Sequence, residues 1–262
     1  MTAALKGKIQ AFWSAQVPYL EEGQAGAPAG SRDFYLSADG KRYEYESYLP
    51  PYLARLARGG GKLLEVGFGL GGDLRHLARS GMWVAGADLS PSNARIAQTG
   101  FVSLQLPGRA LAADGEALPF RTESFDAAYS FGALHHTPDT RRAIGELHRI
   151  LKPNGRCLVM LYHQGLAYRL ISLKFDLLKL FGVEQDRERY VSRAYDQTPL
   201  SKLYSPDDLR GLFSAFRNVR ISIENYGGLK ENRFYFWFYH LLQVFPPLKI
   251  KFGSFAMVEA VK

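Results

Sequence analysis

From Lys62 onward, short apolar runs alternate with segments whose apolar residues recur at helical spacing. The runs at 62–66, 83–87, 111–113, 125–129 and 156–162 read as buried strands. Helices are predicted between them over about 73–80, from Ser90-Pro91 onward, and over 140–151. Ser90 suits an N-cap and Pro91 a first helical position, while Lys152-Pro153-Asn154-Gly155 ends the last of these helices. Such alternation predicts a parallel sheet covered on both faces. A helix from Ser205-Pro206 to about Phe216, a strand at 219–223 and a last strand at 254–261, antiparallel to its neighbour, complete the sheet.

Two regions depart from the alternation. Residues 1–60 hold a short helix over 5–16 with Phe12 and Trp13, a Gly/Ala/Pro-rich loop over 23–32, and a tyrosine-rich helix over 41–58. Pro50 and Pro51 must kink or restart that helix. We read this region as a helical cap on a domain spanning 61–262. Within 163–204, Leu166, Leu170, Leu173, Leu177 and Phe181 recur at helical spacing, with Arg169, Lys174 and Lys179 between them. This is an amphipathic helix of basic character, read as a lid insertion. A membrane-surface role is the less favoured alternative. The aromatic density of 231–245 suits core plus a contact with a second copy, or an apolar binding surface.

At 262 residues and 47% hydrophobic, the chain can bury a proper core. Its net charge of +8 favours anionic partners, although many soluble enzymes are simply basic. The lone Cys157 lies in an apolar run and cannot form an internal disulfide, which suits a reducing compartment. No run reaches the ~18 apolar residues of a membrane span. The expected location is cytoplasmic.

Candidate chemistry centres on Glu65-Val66-Gly67-Phe68-Gly69-Leu70-Gly71-Gly72-Asp73, a strand that ends in a glycine turn before a helix. Bare backbone there can approach a ligand closely, and the helix N-terminus offers unpaired N–H groups. Gly67, Gly69 and Gly72 satisfy the G-x-G-x-x-G spacing of dinucleotide enzymes. Gly67, Gly69 and Gly71 after Glu65 equally satisfy E-x-G-x-G-x-G. Acids stand at three successive strand ends: Glu65, Asp88 and Asp114. A carboxylate after the second strand can accept both hydroxyls of a ribose. Asp114, followed by Gly115, is placed to accept from an adenine amino group.

Over about 62–163 the chain resembles the class I S-adenosylmethionine (SAM)-dependent methyltransferases of the broad bacterial type 11 branch. The resemblance rests on the glycine turn, Asp88-Leu89-Ser90, Asp114-Gly115-Glu116-Ala117-Leu118-Pro119-Phe120, Ser124-Phe125-Asp126, Leu134-His135-His136-Thr137-Pro138-Asp139 and Leu151-Lys152-Pro153-Asn154-Gly155, in that order. It implies a Rossmann-like, doubly wound seven-stranded α/β sheet, mostly parallel with the last strand antiparallel. It also implies that Gly67 to Gly69 cradle the methionine part of SAM, with Phe68 narrowing the pocket and Glu65 ordering the loop. Asp88 would hold the ribose, Leu89 would lie against the adenine, and Asp114 with the backbone of Gly115 and Glu116 would read its edge. Ser130 would lie near the cofactor's amino group. A subset of the branch begins with a Phe-Trp helix and an Arg-Tyr pair, here Phe12-Trp13 and Arg42-Tyr43. That match places Tyr43 by the cofactor's carboxylate and Tyr35 or Tyr48 on the substrate side. Asn154 stands where glycine is usual, and asparagine tolerates a left-handed turn.

The implied reaction is an in-line methyl transfer that leaves S-adenosylhomocysteine (SAH). Alignment is its main demand and can be worth ~7–11 kcal/mol. A hydroxyl acceptor would gain from a base. His135, His136 and His163 are candidates, with His135 favoured on the family's motif. Tyr162 and Tyr195 join the substrate-side candidates. No metal is expected, since no H-x-x-x-H spacing or His-Cys cluster appears. Nucleic acid is disfavoured: Leu49-Pro50-Pro51-Tyr52 lacks the oxygen that base-amino methylation needs. The expected acceptor is a small or medium-sized, partly apolar molecule. An NAD-dependent oxidoreductase and a non-catalytic SAM sensor are the alternatives.

Overall fold

The computed structural model describes residues 2–24, 27–180, 197–224 and 253–262. Its strands are β1 (Lys62–Val66), β2 (Trp83–Asp88), β3 (Arg109–Ala112), β4 (Phe125–Phe131), β5 (Leu151–His163), β6 (Leu203–Tyr204), β7 (Arg217–Glu224) and β8 (Phe255–Val261). Seven lie side by side in the order β3-β2-β1-β4-β5-β8-β7. Neighbours from β3 to β5 pair in parallel, whereas β8 runs antiparallel to both β5 and β7. The sheet is thus the expected mostly parallel α/β sheet with an antiparallel last strand. An eighth, two-residue strand was not anticipated: β6 pairs with the carboxyl end of β5, Tyr162 opposite Leu203.

The helices are α1 (Thr2–Ala15), α2 (Leu20–Gln24), α3 (Arg32–Tyr45), α4 (Leu49–Ala57), α5 (Gly72–Arg79), α6 (Pro91–Ser103), α7 (Thr140–Ile150), α8 (Leu166–Leu180) and α9 (Pro206–Leu212). Local chemistry sets their ends. Ser90 accepts from Asn93 N–H at the start of α6, and Ser205 and Asp208 form a reciprocal capping box at α9. The helix expected over 41–58 restarts at its prolines, as anticipated: Pro50 and Pro51 sit in the first turn of α4, where their missing N–H groups cost nothing. The expected turn at 152–155 lies inside β5 as a bulge, with Leu151 opposite Phe125 and Arg156 opposite Ala127. Asn154 adopts φ 65° there, the left-handed conformation expected of it.

Apolar residues cover both sheet faces. One layer joins β-strand residues such as Leu64, Val159 and Val258 to α7 and α9, and the other joins Leu63, Tyr129 and Met257 to α4, α5 and α6. Cys157 is buried in the first layer, where burial pushes its thiol pKa up. On α8, Phe175 is buried while Leu170, Leu173 and Leu177 are exposed, so the leucine stripe is not the packed face. Among the described residues no helix is long and apolar enough to cross a membrane.

Candidate functional site

β1, β2 and β4 end at one edge of the sheet, and the chain turns there through loops that form the floor of a cavity of about 440 Å³. The turn after β1 is built by glycine. Gly67 takes φ 78°, and a Cβ on it would fall 2.1 Å from Ala133 Cβ in the loop after β4. Only a bare residue lets those loops meet. Gly69 N–H donates to Asp88 Oδ2 at 3.0 Å, while Oδ1 accepts from Ser90 N–H at 2.8 Å. Asp88 therefore fixes the glycine turn and still faces the cavity; burial raises its pKa despite these bonds.

Glu65, Gly67, Phe68, Gly69, Asp88 and Leu89 all line this cavity, as do Asp114 and Gly115. Phe68 does so with only one edge: its ring packs on Gly86 of β2, where a Cβ would come within 2.4 Å of it. Glu65 is buried with Oε2 lacking a hydrogen-bond partner among the described residues. Burial, with Asp73 next, holds its pKa well above the ordinary carboxylate value.

Two cofactor candidates point elsewhere. Ser130 is fully buried and donates to the Val66 carbonyl at 2.8 Å. The Glu116 carboxylate accepts from Thr137 Oγ1 and from Asp139 N–H at 2.7 Å, tying down the loop before α7. Lys6 of α1 ion-pairs with both Asp114 and Glu116 at 2.5 Å. Burial opposes its charge, but the two carboxylates outweigh that and raise its pKa. The same helix donates from Gln10 Nε2 to the Leu89 carbonyl at 2.9 Å and pairs Ser14 with Ser90 at 2.8 Å. α1 is therefore strapped across the edge on which all three acids stand.

The tyrosine expectations need correction. Tyr43 is not on the cavity: its hydroxyl donates to Asp73 Oδ1 at 2.9 Å. Its neighbour Arg42 lines the cavity instead and grips Asp73 through Nε and Nη2, at 3.2 and 2.8 Å. Tyr129 also donates to Asp73, and these partners together overcome burial and lower its pKa. Tyr35 is buried away from the cavity, bonded to the Ile96 carbonyl at 2.7 Å under Arg75. Tyr48 packs against the α4 side of the core rather than the cavity. Tyr162 does line it, stacked on Phe255 with ring centroids 5.8 Å apart. Tyr195 lies outside the described residues.

The histidines separate clearly. His136 lines the cavity; its Nδ1 is 2.7 Å from the Leu200 carbonyl, an acceptor only, so the proton sits on Nδ1 and the lone pair on Nε2. The favoured His135 is not on the cavity. It is fully buried against Tyr162, with ring centroids 3.7 Å apart, and burial drives its pKa well below the ordinary value. His163 is also off the cavity, with Nδ1 2.9 Å from the Gly253 carbonyl. The family motif gave no means of choosing between the two adjacent histidines, because a 3-10 turn at Leu134–His136 decides which ring turns inward.

Arg42, Glu46, Lys6 and Asp73 are cavity residues that the motifs did not name as contacts. A signal for some existed. Asp39, Arg42 and Glu46 are spaced three and four residues apart, so they share one face of α3 and its cap. All three are buried. Among the described residues no group of three or more His, Cys, Asp or Glu could hold a metal ion.

Residues 64–159 match a family model described as a methyltransferase domain. The chain is 32% identical over 129 residues to the sterol 4-C-methyltransferase strm-1 of Caenorhabditis elegans, covering 48% of this chain and 34% of that protein. It is 33% identical over 110 residues to a chloroplastic tocopherol O-methyltransferase of Arabidopsis thaliana, covering 40% and 32%. It thus spans about a third of the length of these relatives. A SAM-dependent methyltransferase structure from Aquifex aeolicus superposes with a TM-score of 0.54 at 14% identity, covering 94% of this chain and 99% of that one.

Proposed function

Because residues 64–159 match a methyltransferase-domain family model, we propose that the chain is a SAM-dependent methyltransferase that binds SAM under its helical cap and methylates a small or medium-sized, partly apolar acceptor. The observation that supports this most is the wall shared by the bare Gly67–Gly69 main chain and the carboxylates of Asp88 and Asp114. These groups suit an adenosyl ligand: Asp88 for the ribose hydroxyls, Asp114 and the Gly115 backbone for the adenine edge. At the other end of the ligand, the orphaned Glu65 oxygen suits an ammonium and Arg42 a carboxylate, the two charges of an amino acid. SAM, when bound, supplies a methyl group on a sulfonium leaving group.

The chain's own task is to orient the acceptor and exclude water. Phe131, Tyr162 and Phe255 give the acceptor half an aromatic wall, which fits the sterol and tocopherol for which the curated relatives are named. Of the three candidate histidines His136 is the one that lines the cavity, which supports it as the base for a hydroxyl acceptor.

Calorimetric titration with SAM, SAH and NAD tests the cofactor. Micromolar binding of SAH and none of NAD is expected; binding of NAD alone overturns the reading. Incubation with labelled SAM and metabolite extracts tests turnover. Label in a small apolar product is expected, and no labelled product from any extract would leave a SAM-binding sensor.

A further inference from the structure

The carboxylates on the cavity are mostly committed within the protein. Asp39 is held by Arg75 and Arg79, Asp73 by Arg42 and two tyrosines, Asp88 by backbone N–H groups, and Asp114 by Lys6. Two keep an oxygen with no hydrogen-bond partner among the described residues: Glu65 Oε2 and Glu46 Oε2. A buried acceptor of this kind is destabilising unless a donor reaches it. Glu65 stands at the end of β1 beside the glycine turn, on the cofactor side. Glu46 also lines the cavity, four residues after Arg42 on the same side of α3. It caps the end of α3, is 2% exposed, and follows Tyr45, which also lines the cavity. The α3 end is closed by the Glu46 backbone N–H bonding to the Arg42 carbonyl, so the carboxylate is not needed as a cap. The buried Tyr48 hydroxyl is a neighbouring donor, which itself lacks a partner in bonding geometry among the described residues. Burial raises its pKa, with Arg42 opposing.

We propose that Glu46 is an acceptor-binding residue, whose Oε2 receives a hydrogen bond from an O–H or N–H group on an otherwise apolar methyl acceptor. The proposal rests on the methyltransferase reading above for its term "acceptor", but not for the existence of the subsite. Aromatic rings define the shape of this half of the cavity and tolerate many skeletons. The acid beside them then sets specificity, because a skeleton without a donor leaves its Oε2 with no donor but the Tyr48 hydroxyl. The class selected is a ring or lipid-like compound carrying a hydroxyl or an amine.

Matched probes test this on the full chain: naphthalene, 2-naphthol and 2-aminonaphthalene, measured by equilibrium dialysis with and without SAH. Wild type is expected to bind the hydroxyl or the amine probe about tenfold or more tighter than naphthalene, and the tighter of the two identifies the donor. Glu46→Ala should abolish that preference and leave SAH affinity unchanged, whereas Glu46→Gln, whose amide oxygen still accepts, should keep part of it. No preference in wild type, or the same preference in Glu46→Ala, overturns the proposal. So does loss of SAH binding in Glu46→Ala, which would put Glu46 in the cofactor half. A melting scan without ligand gives an independent reading. An acid waiting for a ligand predicts that Glu46→Gln melts within about 2–4 °C of wild type or above it. A larger fall would mark a structural partner and overturn the proposal. Failure of wild type to bind SAH overturns the methyltransferase reading instead, and the probe and melting measurements without SAH still decide the role of Glu46.

Discussion

His135 shows what burial does to a single ionisable side chain. Its ring nitrogens have no hydrogen-bond partner among the described residues, and burial, with His136 next, keeps its folded pKa well below 6.5. The unfolded chain takes up that proton near 6.5, so below this pH the unfolded state binds more protons than the folded one. Stability therefore falls as pH drops below about 6.5. His135→Phe should flatten that acid limb in urea melts run between pH 7 and 5, and an unchanged limb would place the acid sensitivity elsewhere. On the cavity itself, Asp88→Ala should weaken SAH binding by ~1–3 kcal/mol through lost charged hydrogen bonds. Calorimetry reads this directly, and Asp88→Asn should lose less because it can still accept from Gly69 N–H. Both residues stood in recognisable motifs, yet their legibility differed. A carboxylate at a strand end has only one edge to face, so Asp88 was readable from sequence. Which of two adjacent histidines turns inward depends on a local 3-10 turn that no spacing encodes, and the motif favoured the ring that lies off the cavity.

Between elements, α3 and α5 are joined by a pair of reversed contacts. α3 offers Asp39 to Arg75 of α5 at 2.6 Å, and Arg42 to Asp73 of the same helix at 2.8 Å. Arg75 is fully buried beneath Tyr35 and also donates to the Leu70 carbonyl, so α3 fixes the glycine turn as well as the helix after it. Removing one member of a buried pair strands the other. Arg75→Met should therefore cost ~3–5 kcal/mol in denaturant unfolding, while Asp39→Asn with Arg75→Met should recover part of that loss. A loss below ~1 kcal/mol for Arg75→Met would mean that water already reaches the pair. α3 was only half legible. Its tyrosines suggested an amphipathic packing face, but the buried stripe is partly charged, and hydrophobic periodicity is blind to charges that find partners on a neighbouring helix. The strands were far more legible because parallel strands buried on both faces must be continuous apolar runs. β6 was missed for the converse reason: a two-residue strand has no periodicity to detect.

At the scale of the molecule, the cavity lies between two bodies of sequence that fold by different rules, and ligand binding should tie them together. The sheet edge supplies Gly67, Asp88 and Asp114, while the helices before β1 supply Lys6, Trp13 and Arg42. α1 is held there by Lys6, Gln10 and Ser14, which reach Asp114, the Leu89 carbonyl and Ser90. A ligand that fills this space binds the folded chain alone and stabilises it by ~2.7 kcal/mol at a hundred times its Kd. For a chain of this size that corresponds to a rise in Tm of about 5–10 °C. SAH should produce it and NAD should not. Lys6→Met, which frees Asp114 and Glu116 from their shared cation, should lower the Tm without ligand and speed SAH release in stopped-flow displacement, because the strap then opens more often. Slower release would mean that Lys6 instead competes with the ligand for Asp114, and that the adenine edge is read only after the lysine has let go.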